Sequence, residues 1–79
     1  MIIENSNIKN LFITISDNKV ILIKSGLEEF VKQMKKIDSN VKSKTYYDNH
    51  FRTSDVYYFQ NPTSGKQYIF QKVINLYKK

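Results

Sequence analysis

The residues best suited to chemistry lie in the second half of the chain, where cations and tyrosines are interleaved. Residues 41–79 contain six lysines and one arginine against two aspartates, a net charge of +5, whereas six lysines against five acids give residues 1–40 a net charge of +1. All six tyrosines also lie in residues 41–79. Because ammonium groups neutralise phosphates and flat rings stack on bases, this composition is typical of a nucleic-acid-binding surface. The alternative is that the lysines reflect A+T-rich coding and serve only to keep the chain soluble.

The candidate binding surface is built on a strand predicted at residues 41–47 and on the loop that follows it. Alternation along that strand places two lysines and a tyrosine on one side. The chain has one arginine, and lysine is a point charge that lacks the forked geometry used to recognise guanine. We therefore expect salt-sensitive binding with weak sequence selectivity. The candidate nucleic-acid-binding residues are Lys42, Lys44, Tyr46, His50, Arg52, Tyr58 and Lys66.

Catalytic groups are sparse in this sequence. There is no cysteine and one histidine, so a triad would have to combine His50 with Ser54 and with Asp48 or Asp55. A metal-independent ribonuclease is the enzymatic alternative, using His50, Arg52, a lysine and a tyrosine. The two glycines form no phosphate-binding loop, and the scattered acids form no metal-binding pattern. We expect a non-enzymatic protein with no catalytic residue, no metal site and no cofactor.

A protein-interaction role is the second functional hypothesis. A small domain without a catalytic set is typical of regulators and of inhibitors encoded by mobile elements or phages, and the lysine- and asparagine-rich composition suits a low-G+C bacterium or its phages. The first hairpin described below is apolar on both faces, so one face is available to a protein partner or to a second copy in a homodimer. This hypothesis and nucleic-acid binding both stay open at this point.

The length and composition set the class of protein. A chain of 79 residues fits a single domain, here residues 1–79, with a thin core. The lack of cysteine favours a reducing, cytoplasmic setting. The longest purely apolar run is Val20 to Ile23, so we expect neither a signal peptide nor a membrane partner.

One helix is predicted at residues 26–37. Its apolar positions, from Leu27 to Ile37, recur at helical spacing, and three lysines lie off that stripe. Ser25 and Glu28 match a capping box, in which the hydroxyl and the carboxylate satisfy backbone N–H groups at the helix start.

Two hairpins flank this helix in the predicted order. The first pairs residues 11–16 with residues 19–23 around the Asp17-Asn18 turn, with Ser16 opposite Lys19. The second pairs residues 55–60 with residues from Lys66 onward, around a turn in which Pro62 and Gly65 supply the required backbone angles.

The remaining segments complete the predicted order β-β-α-β-β-β. We predict a strand at residues 41–47, a turn at residues 48–50, and a last strand that continues to about residue 75. Residues 1–10 either add a short edge strand or fray. The predicted fold is therefore α+β, an antiparallel sheet of two hairpins plus one strand, with a single helix packed across it.

Overall fold

A computed structural model describes residues 10–74. These residues form one antiparallel sheet of four strands with the order β2-β1-β4-β3, together with two helices. The α+β class and the two hairpins flanking a helix are confirmed. The elements are β1 (Asn10–Ser16), β2 (Lys19–Lys24), α1 (Leu27–Ile37), α2 (Lys44–His50), β3 (Val56–Gln60) and β4 (Gln67–Ile74).

The first hairpin turns at the predicted residues. Asp17 and Asn18 have positive φ angles of 52° and 64°, which both residue types tolerate. The pairs next to the turn are those predicted, with Ser16 opposite Lys19. Beyond them the predicted register is wrong, because a bulge makes Ile21 an extra residue and shifts each later partner by one. In the sheet formed by residues 10–74, β1 is central and β2 lies at one edge.

The second hairpin has the strands and the turn that the sequence predicts. Residues 56–60 pair with the strand that follows Lys66, as predicted, with Phe59 opposite Tyr68 and Tyr57 opposite Phe70. Gly65 has a φ of 74°, which a residue without a Cβ adopts without strain. The strand after the turn continues to Ile74, which confirms the predicted strand to the limit of the described residues.

Helix α1 buries the predicted stripe but begins differently at its N-terminus. Four residues are buried against the sheet, namely Leu27, Phe30, Val31 and Met34. The predicted capping box is wrong. Gly26 is the N-cap residue and no side chain caps the helix, because the helix starts one residue too late for Ser25 to occupy that position. Ile37, at the end of the stripe, is exposed.

The segment predicted as a third strand is helix α2. The strand at residues 41–47 and the turn at residues 48–50 are therefore both wrong. Tyr47 and Phe51 are four residues apart, so a helix points both side chains into the core, where both are buried. Val41, just before the helix, is buried as well. In a strand, Tyr47 and Phe51 would also share a face, but their side chains would lie much farther apart along the chain direction.

The two helices cover one face of the sheet, and the core lies between the layers. Rings from both layers meet there: Phe30 contacts Phe12 and Phe70, and Tyr47 contacts Phe70. Side chains alternate along each strand, so the neighbours of these core residues point to the opposite face, here called the outer face. The outer-face residues of the four strands are Leu11, Ile13, Ile15, Val20, Ile23, Val56, Tyr58, Gln60, Gln67, Ile69, Gln71 and Val73.

A buried carboxylate joins the end of α1 to the second hairpin. Asp38 accepts hydrogen bonds from the Asn61 amide at 2.9 and 3.0 Å and from the Asn40 backbone N–H at 2.9 Å. The Asn61 side-chain oxygen accepts the N–H groups of Thr63 and Ser64 within the turn. Asn61 therefore fixes the turn and its distance from the helix at the same time.

Two sequence predictions lie outside the described residues. The short N-terminal strand concerns residues 1–9, and the end of the last strand concerns residues 75–79. Across residues 10–74, neither helix has the length and apolar character needed to cross a membrane.

Candidate nucleic-acid interface

Helix α2 and strand β3 bring two tyrosines together at the surface. The Tyr46 and Tyr57 hydroxyl oxygens are 3.2 Å apart, and their rings meet edge to face at 5.8 Å. The Tyr46 ring is 42% exposed, whereas Tyr57 is half-buried. One of the two hydroxyls donates its hydrogen to the oxygen of the other. The O–H of the accepting hydroxyl is therefore free to donate to a ligand oxygen.

Lys42 adds a positive charge to this pair. Its ammonium nitrogen lies 5.7 Å from the centroid of the Tyr46 ring, within the range of a cation–π contact. Its backbone N–H donates to the Tyr47 hydroxyl at 3.0 Å. Because Tyr47 is fully buried, this hydrogen bond anchors the chain just before α2 and fixes the position of the Lys42 backbone.

His50 lies on the same side of α2, one turn after Tyr46. Its Nε2 is 2.7 Å from the Val56 carbonyl oxygen, and its ring is 4.9 Å from the Tyr57 ring. A carbonyl oxygen only accepts hydrogen bonds, so Nε2 carries a hydrogen and donates it. Lys42, Tyr46, His50 and Tyr57 together form one surface group, here called the α2–β3 cluster.

The residues considered for a triad do not form one. Ser54 Oγ donates to the Val56 carbonyl at 3.0 Å, the same oxygen that His50 contacts, so neither side chain is directed at the other. Asp48 is instead 3.8 Å from Arg52, one helical turn away. His50, predicted in a turn, is the last residue of α2 and is half-buried.

The phenols of Tyr57 and of the buried Tyr47 resist ionisation, because both have a raised pKa. Burial is the main cause that raises the pKa of Tyr57, and the hydrogen bond with Tyr46 raises it further. Burial also raises the pKa of Tyr47, against a smaller opposite effect of the hydrogen bond from Lys42. Both phenols therefore remain neutral hydrogen-bonding groups at ordinary pH.

The structure brings together three of the seven candidate residues, Lys42, Tyr46 and His50, and separates the rest. Lys44 is two residues from Tyr46, which places it roughly 200° around the helix axis. Arg52 forms an exposed ion pair with Asp48, and such pairs contribute little.

Tyr58 and Lys66 also lie apart from the α2–β3 cluster. Tyr58 is on the outer face of the sheet, because its neighbour Tyr57 faces the helices. Lys66 lies at the hairpin turn, 4.0 Å from Asp17, whereas His50 is at the other end of β3. The single continuous surface predicted from the sequence is therefore divided.

Tyr57 is the member of the cluster that the sequence analysis missed. Tyr47 and Tyr68 are buried in the core, whereas Tyr57 is half-buried. The Tyr57 ring is stacked at 5.9 Å on Phe70, but its hydroxyl reaches the surface at Tyr46. The helical spacing of Tyr46 and His50 was the available signal, since it aligns both with one flank of a helix.

No family model, curated protein or solved structure matches this chain. Within residues 10–74, no three histidine or acidic side chains come close enough together to hold a metal ion. The class that the fold defines is a small two-layer α+β protein.

Proposed function

We propose that this protein binds single-stranded nucleic acid through the α2–β3 cluster. The observation that carries the proposal is the exposed Tyr46 ring with the Lys42 ammonium 5.7 Å from its centroid. An exposed aromatic ring can stack on a base, and a neighbouring cation can bind a phosphate of the same strand. Only an unpaired base exposes its flat face to a protein side chain, which favours a single strand over a duplex.

The hydroxyl pair adds a neutral donor beside the cation. One O–H of Tyr46 or Tyr57 is free, and the raised pKa of Tyr57 keeps its hydrogen in place. An ammonium and a hydroxyl that donate to the same phosphate bind it without reading the base. This arrangement supports binding with weak sequence selectivity, in keeping with the dominance of lysine over arginine.

The test is fluorescence anisotropy with a labelled single-stranded oligonucleotide, titrated at several salt concentrations. Lys42→Gln should weaken binding and reduce the slope of log K against log salt by about 0.7, the value for one phosphate contact on a single strand. Lys35→Gln is the matched control, because it removes the same charge from the exposed side of α1. Absence of binding at low salt, or equal effects of the two variants, would overturn the proposal.

A protein-interaction role is the second candidate, and β2 is the observation that favours it. Val20, Ile21 and Ile23 are 51%, 44% and 43% exposed on this edge strand. Among the described strands, β2 pairs with β1 alone, so its outer backbone groups face away from the sheet. Light scattering should then show a dimer or a stable complex that Val20→Glu disrupts, and a monomer at every concentration would exclude the dimer.

A further inference from the structure

The outer face of the second hairpin contains a depression, on the opposite side of the sheet from the α2–β3 cluster. It is a cavity of about 320 Å³ lined by Tyr58, Phe59, Gln60, Gln67, Tyr68 and Ile69. Tyr58 is 77% exposed, so its ring is open to a ligand. We infer that this depression is a nucleobase pocket that takes an unpaired base of the same strand bound at the α2–β3 cluster, an inference that rests on the proposed function.

The strand register builds the pocket from four side chains. Tyr58 lies opposite Ile69, and Gln60 lies opposite Gln67. These residues alternate with Phe59 and Tyr68, whose side chains are buried on the helix side. The four outer side chains therefore form a rectangle, with the backbone of Phe59 and Tyr68 as its floor.

The chemistry of the lining fits a flat, uncharged heterocycle. The Tyr58 ring and the Ile69 side chain offer apolar surface to a base that stacks on them. Gln60 and Gln67 each carry an amide with both donors and an acceptor, which match the polar edge of a base. Among residues 10–74, no charged residue lines the depression, so the described lining offers no partner for a phosphate or for a charged peptide side chain.

The position of β3 connects the pocket with the α2–β3 cluster. Tyr57 and Tyr58 are consecutive residues, and they face opposite sides of the sheet. β3 is the last strand in the described sheet, so no other described strand lies beyond it. A nucleic-acid strand that crosses this edge can place a phosphate near Lys42 and the hydroxyl pair, and a neighbouring base against Tyr58.

The test compares two labelled probes, a short oligoadenylate and a matched oligomer in which every site is abasic. Both carry the same phosphates, so their difference in affinity reports the contribution of the bases. Wild type should bind oligoadenylate about tenfold more tightly than the abasic oligomer. Tyr58→Ala should reduce this preference, because only the Tyr46 ring then remains to stack on a base, whereas Tyr58→Phe, which retains the ring, should keep it in full. Because the Tyr58 side chain is exposed, both variants should fold, and circular dichroism checks this.

The outcomes separate this inference from the proposed function. If both probes bind with a salt dependence that Lys42→Gln reduces, and Tyr58→Ala leaves the preference for bases unchanged, the pocket is wrong and the proposed function stands. If neither probe binds the wild type at low salt, both are overturned. If Tyr58→Ala weakens the two probes equally, Tyr58 contributes to backbone binding and the pocket is also wrong.

Discussion

Replacement of Tyr47 by alanine should destabilise the fold far more than the same change at the adjacent Tyr46. Tyr47 is 0% exposed, and its ring contacts those of Tyr46, Tyr57 and Phe70 at 5.2, 5.1 and 5.4 Å. Its hydroxyl also accepts the Lys42 N–H at 3.0 Å. Tyr47→Ala therefore removes a ring from the centre of the core and a hydrogen bond from its edge.

The expected decrease in the free energy of unfolding follows from the loss of the ring and of the hydrogen bond. Truncation of a large buried aromatic side chain costs about 3–5 kcal/mol, and the hydrogen bond adds about 1 kcal/mol. A domain of 79 residues has a free energy of unfolding of about 4–12 kcal/mol, so Tyr47→Ala should remove much or all of it. Tyr47→Phe loses the hydrogen bond alone and should cost about 1 kcal/mol. Tyr46→Ala, at a site 42% exposed, should cost less than about 1.5 kcal/mol.

Urea denaturation followed by circular dichroism measures all three variants against wild type. Equal losses for Tyr46→Ala and Tyr47→Ala would show that α2 does not present Tyr47 to the core. If Tyr47→Ala does not fold at all, Tyr47→Phe still gives a measurable value. A stability for Tyr47→Phe equal to that of the wild type would refute the role of its hydroxyl in fixing Lys42.

Two further predictions concern pH and the second hairpin. Burial raises the pKa of Tyr47 and of Tyr57, so the stability that their neutral forms provide is fully present below about pH 10 and is lost as pH rises through the higher folded values. The melting temperature should fall in that alkaline range, and less steeply for Tyr57→Phe; identical profiles would contradict this. Asn61→Ala should cost about 2 kcal/mol in urea, because it leaves the Asp38 carboxylate without its side-chain donor. Asn49→Ala, at an exposed position of α2, should change stability by less than about 0.5 kcal/mol, and equal effects would exclude the role of Asn61.

The parts of the fold that the sequence predicted correctly depend on local chemistry. Asp17 and Asn18 tolerate positive φ angles, and Gly65 adopts one without strain because it has no Cβ. The residue types therefore predict both turns. Helix α1 has 11 residues, long enough for its apolar period to be read. In both hairpins the turn fixes the pairs next to it. The first hairpin departs from the prediction only beyond the bulge at Ile21.

Helix α2 could not be read in the same way. It has seven residues, among them Thr45, Tyr46 and Tyr47, which favour strands when considered alone. An isolated helix shorter than about 12 residues is marginal in water, so its own propensity decides little. Its stability comes from the burial of Tyr47 and Phe51 against a sheet that other segments build. These contacts join residues that are far apart in the sequence, so the residues of α2 alone do not predict them.

The sequence by itself therefore determined the turns, the long helix, the α+β class and the concentration of cations and tyrosines in the second half of the chain. Only the tertiary structure decided which of those side chains meet. It placed β1 beside β4, turned the segment after α1 into a helix, and joined Lys42, Tyr46 and His50 to Tyr57. The reason is physical: turns and helical periods depend on neighbours in the chain, whereas a surface cluster depends on how separate elements share one core.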